Sequence, residues 1–105
     1  MRKIGMLDLK GVIGKLGANE VILDVRGADE FREGHLPGAR NIPHDHVIHH
    51  LDELRQLKAI YIHCHAGRRA GMAAEALEKA GLTNLVCVLG GGMGDWIAAG
   101  FPVET

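Results

Sequence analysis

Three short runs most constrain how this chain can fold: Val21-Ile22-Leu23-Asp24-Val25, Ala59-Ile60-Tyr61-Ile62 and Leu85-Val86-Cys87-Val88-Leu89. They are apolar almost without interruption, whereas a strand with one wet face alternates. A strand buried on both faces reads this way, as in a parallel sheet with helices on its two sides. Between the second and third runs, Ala70, Ala73, Ala74 and Leu77 recur at i, i+3, i+4 and i+7, the spacing of a helix face, and Gly81 supplies a stop. Strands alternating with helices predict an α/β domain with a largely parallel sheet. The 105 residues suffice for one such domain, taken to span 1–105, and are too few for two.

The remaining segments fit between these strands. Asp8 can cap a first helix carrying Leu9, Val12, Ile13 and Leu16, with Gly17 as its stop. Arg26 to Gly34 predicts a short helix closed by Gly34, and His35-Leu36-Pro37-Gly38-Ala39 a turn marked by Pro37-Gly38. Asn41-Ile42-Pro43 ends a short extended segment. His44 to Lys58 suits one or two helices with Leu51, Leu54 and Leu57 inward. Gly90-Gly91-Gly92 is a tight loop, and Met93, Trp96 and Ile97 mark a last short helix ended by Gly100.

A formal net charge of −1 gives no reason to expect nucleic acid or an acidic membrane surface as partner. No apolar stretch is long enough to span a bilayer, and none follows the basic pair Arg2-Lys3 as in a signal peptide. A cytoplasmic setting is therefore expected, although a processed secreted form would read the same. The two cysteines differ in context. Cys87 lies in an apolar strand, where a free thiol behaves as a small hydrophobe, and use of it as a resolving partner for Cys64 is the less favoured reading.

Cys64 instead opens the stretch Cys64-His65-Ala66-Gly67-Arg68-Arg69, between the second strand and the helix after it. Ligand sites of open α/β sheets lie at such carboxyl ends. The unpaired N–H groups of a helix's first turn favour an anion, and the same field, with arginine nearby, favours a thiolate. The loop can thus hold a charged nucleophile beside an anionic substrate. Gly67 answers the need for backbone angles that turn the loop amides inward.

The chain resembles a single-domain rhodanese, a sulfurtransferase. The likeness runs from about Asp8 to the C-terminus. It is carried by Leu23-Asp24-Val25-Arg26, Glu30-Phe31, Gly34 to Ala39 and Asn41-Ile42-Pro43, by the Cys64–Arg69 loop, and by Leu89-Gly90-Gly91-Gly92 with Trp96. The resemblance implies a twisted, five-stranded, mainly parallel sheet flanked by helices on both faces. It implies that Cys64 takes the outer sulfur of a donor such as thiosulfate or polysulfide as a persulfide and yields it to cyanide, a thiol or a protein thiol. No cofactor and no metal are implied. A thioredoxin-like or other sulfur-relay protein is a further candidate partner. The substrate would be held by His65, Ala66, Gly67, Arg68 and Arg69. Arg69 is expected to grip the donor's sulfonate through its planar fork. Arg68 is expected at the pocket mouth, on the substrate or in solvent, and His65 either tunes that mouth or is passively exposed. Asp24 and Arg26 are expected to form a buried structural pair, with Glu30, His35 and Asn41 as fixers of turns and loops, and Trp96 as core or pocket wall.

Rival readings remain at this point. A persulfide carrier serving a dedicated protein fits every residue named. A phosphatase or arsenate reductase of the same fold fits less well, because its loop carries one residue more than the four, His65 to Arg68, that separate Cys64 from Arg69 here. His44, His46, His49 and His50 lack a recognised metal-ligand spacing and read as an exposed helical face. His63 reads as a partly buried, hydrogen-bonded residue.

Overall fold

A computed structural model describes residues 1–105. Its five strands are β1 (Arg2–Ile4), β2 (Glu20–Asp24), β3 (Arg40–Asn41), β4 (Ala59–His63) and β5 (Leu85–Val88), in the order β1-β5-β4-β2-β3, and every pairing is parallel. The helices are α1 (Ala28–Glu33), α2 (Leu51–Arg55), α3 (Arg68–Lys79) and α4 (Met93–Ala98), with 3₁₀ turns at Met6–Gly11 and Val47–His50.

The apolar runs form the middle of the sheet because both faces are covered. Leu23, Ile60, Ile62, Leu85 and Cys87 point to a core closed by Leu54 and by Ala70, Ala73, Ala74 and Leu77 of α3. Ile22, Tyr61, Val86 and Val88 point to the opposite core, closed by Met6, Leu9, Met93 and Trp96. β2, β4 and β5 thus each feed both layers at their period of two. The alanines on the inner face of α3 keep that helix close to the sheet. Gly81, at a φ of 97°, then turns the chain so that the Leu82 N–H returns to the Leu77 carbonyl.

Arg2–Ile4 pairs with Val86–Val88 as an edge strand, too short and too charged to show an apolar pattern. The helix expected after Asp8 is a 3₁₀ turn that begins earlier, at Met6, and Asp8 accepts the Gly5 N–H (2.9 Å) from inside it. In α4, Met93 and Trp96 are buried, whereas Ile97 is half exposed.

Candidate active site

Cys64 leaves the carboxyl end of β4, the strand between β2 and β5. The chain must turn at once to enter α3, and Gly67 makes the turn possible at a φ of 113° in the left-handed region. That turn aims backbone donors at the sulfur. The Gly67 N–H donates to Cys64 Sγ at 3.0 Å and the Ala70 N–H at 3.2 Å. The amides of His65, Ala66, Arg68 and Arg69 meet no acceptor within the protein. Two N–H groups therefore complement negative charge on Sγ, and four more in the same loop are free to meet an acceptor from outside the protein.

The glycine-rich turn after β5 forms the floor of the loop. The Met93 N–H donates to the Cys64 carbonyl (2.8 Å) and the Gly94 N–H to the His65 carbonyl (3.1 Å). A β-carbon on Gly92 would lie 2.6 Å from the His65 oxygen and closer still to the Cys64 oxygen, so two backbones meet where no side chain fits. The His65 ring lies across Gly94, 3.0 Å from where a β-carbon would be.

The carboxyl end of β2 provides the wall. Asp24 and Arg26 are buried and joined by hydrogen bonds of 2.8 to 3.0 Å from the guanidinium to both carboxylate oxygens. Arg26 also donates to the Gly34 carbonyl (2.7 Å), and the Asn41 side-chain amide donates to the carbonyls of Asp24 and Arg26. This network ties the β2 end to the segments on either side of it. His63, opposite Asp24 in the β2–β4 register, is fully buried, and neither ring nitrogen has a partner. Burial pushes its pKa down, with the Asp24 charge opposing and Arg26 assisting. It is neutral and unpaired, not the partly buried, hydrogen-bonded residue expected.

Arg69 departs from expectation in a way that matters chemically. Its fork is occupied by Glu30 of α1: Nη1 donates to Oε1 at 2.6 Å and Nη2 to Oε2 at 3.0 Å. These hydrogen bonds from Arg69 hold the Glu30 carboxyl down at about 2 despite partial burial, helped by the Gly27 N–H. Glu30 in turn raises Arg69, with Cys64 and Asp24 adding smaller attractions. Arg68, His65 and Ala66 are exposed at the mouth of the loop, and Arg68 has no carboxylate partner. Beside them lies an open cleft of about 370 Å³ lined by His65, Arg26, Glu30, Glu33, Ile97 and Val103 among others.

Cys64 is 1% exposed, beneath the loop, and Cys87 is equally buried on β5. Burial pushes the Cys87 thiol up, so the inert form is favoured there. His46 and His49 are exposed with ring centres 6.1 Å apart, while His50 bonds Glu53. Glu30 as the partner of Arg69, and Gly92 as the contact for Cys64, were missed by residue-level reading. The glutamate stood only as a loop fixer and the glycine only as part of a turn.

Comparison with known proteins bears on the domain as a whole. A model of the rhodanese-like domain family matches residues 8–99. The chain is similar to the thiosulfate sulfurtransferase PspE of Escherichia coli, 33% identical over 81% of this chain and 85% of that one. It is similar to YrkF of Bacillus subtilis, a candidate sulfur carrier by name, 43% identical over 71% of this chain. The chain spans only 40% of YrkF and 56% of a second Bacillus subtilis relative. A crystal structure of a rhodanese-related protein from Thermoplasma volcanium superposes with a TM-score of 0.80 at 32% identity, covering 99% of this chain and 98% of that one.

Proposed function

The chain belongs to the rhodanese-like domain family, and on that premise we propose that it is a sulfurtransferase working through a persulfide on Cys64. The observation that carries this reading is the pair of backbone amides bonded to Sγ, in a loop whose four other amides have no protein acceptor. The Cys64 thiolate attacks the outer sulfur of thiosulfate. A new S–S bond forms, the donor's S–S bond breaks, and its electron pair leaves with sulfite. The terminal sulfur, now carrying the charge, rests among the amides of His65, Ala66, Gly67, Arg68 and Arg69. An acceptor nucleophile such as cyanide or a thiol then attacks that sulfur, and the Cys64 thiolate is the leaving group. Arg68, free at the mouth, is the cation best placed to meet an incoming anion.

The test is intact mass after incubation with excess thiosulfate, with sulfite assayed in the same tube. The expected result is a gain of one sulfur atom, removed by cyanide and absent in Cys64→Ser. An undiminished gain in Cys64→Ser would overturn the mechanism, because no other residue is proposed as nucleophile.

A carrier role is the second reading, favoured by the position of the loop at an exposed rim of His65, Ala66 and Arg68, where a protein thiol can approach. Turnover with small thiols supports the free enzyme; turnover only with a particular protein supports the carrier. Phosphoryl transfer is disfavoured, since the short loop closes more readily around one sulfur than around a tetrahedral phosphate.

A further inference from the structure

The arginine that closes the loop is the residue one would pick to bind an anionic donor, yet its bidentate face is spent on Glu30. The carboxylate is held from two sides, by the Arg69 fork and by the Gly27 N–H at the start of α1. Arg69 directly precedes Ala70, whose amide donates to Sγ, and it is also within electrostatic reach of Cys64. The pair therefore stands next to the reacting sulfur with its charges cancelled. Arg26, the other guanidinium on this side, is likewise neutralised by Asp24. Glu33 adds an uncompensated negative charge to the adjoining cleft.

We propose that Glu30 determines the charge selectivity of the sulfur donor by masking Arg69, so that the site discriminates against a dianion such as thiosulfate relative to donors of lower charge. The inference rests on the sulfur-transfer reading and sharpens it. Glu30 touches neither the sulfur nor the donor and acts through Arg69, as a positioning residue. The consequence for Arg69 is counterintuitive. Removing it takes no sulfonate ligand away; it leaves a bare Glu30 carboxylate facing the loop, and that carboxylate repels the donor.

The experiment measures half-saturation of Cys64 loading, by mass, with thiosulfate and with an alkanethiosulfonate monoanion. Both present an outer sulfur to the same attack, releasing sulfite or a sulfinate, and they differ by one charge. Glu30→Gln is expected to lower the half-saturating concentration about fivefold for the dianion and about twofold for the monoanion, an effect that shrinks as salt is raised. Arg69→Ala is expected to raise it, more for the dianion, and adding Glu30→Gln to Arg69→Ala is expected to recover most of that loss. A ligand role for Arg69 predicts instead that the double variant stays well above the unmodified chain in half-saturating concentration. Equal shifts for the two donors, or no recovery in the double variant, overturn the proposal. The ratio between donors within one variant is immune to a general loosening of the loop. Failure of both donors to load the unmodified chain overturns the sulfur-transfer reading and this inference together, a result distinct from normal loading without charge dependence.

Discussion

Gly92 has no side chain to contribute, and that is its role: the Cys64 and His65 carbonyls occupy the space a β-carbon would need. Gly92→Ala must push the loop off the N-terminus of α4, at a cost of about 1–3 kcal/mol. Gly71 is the opposite case. It sits inside α3 with open space around its Cα, and alanine there is expected to add about 0.5–1 kcal/mol by restricting the unfolded chain. Urea unfolding of the two variants should move in opposite directions, with Gly92→Ala also slowing Cys64 loading; shifts of the same sign would contradict this account. At this scale the sequence was legible wherever chemistry is local. Cys64 stood out by its place between strand and helix, and Cys87 by its apolar surroundings. The requirement at Gly92 was not legible, because the atoms that exclude a side chain belong to backbone far away in the chain.

Among the elements, α1 depends most on others. It buries no residue fully and is held by the Phe31 ring stacked on His35, by the Arg26 bond to Gly34 at its end, and by the Glu30–Arg69 pair that joins it to α3. The pair has a definite pH window. The Glu30 carboxyl falls from 4.5 to about 2 on folding, so its stabilisation is fully present above about pH 4.5 and is lost as pH drops through 2. The Glu30 side chain is 40% exposed, so solvent screening limits the contribution to about 1 kcal/mol. The stability difference between the unmodified chain and Glu30→Gln should therefore shrink between pH 5 and pH 2. A difference constant over that range would mean that the carboxylate's charge contributes nothing. The sequence located α1 and α3 separately, α1 by its closing Gly34 and α3 by its helical spacing and the stop at Gly81. It did not pair them, because the contact links residues 39 positions apart.

For the molecule as a whole, the buried and unpaired His63 ties global stability to acid. Its pKa is lowered in the folded chain, chiefly by burial, so below about 6.5 the unfolded chain binds a proton that the native one resists. Stability should fall as pH drops from 6.5, and His63→Leu, which removes the titrating ring, should flatten that dependence between pH 7 and 5. An unchanged slope in urea unfolding would sink the assignment. The sequence by itself determined the α/β class, the parallel centre of the sheet and the position of Cys64 at the end of a strand. Those follow from hydrophobic periodicity and turn chemistry, which neighbouring residues express together. Only the tertiary structure decided that Arg2–Ile4 is a strand, that Gly92 supports Cys64, that His63 has no partner and that Arg69 is committed to Glu30. Each of these depends on a backbone or side chain brought near by folding, and a distant partner imposes no periodic pattern on the residues around it.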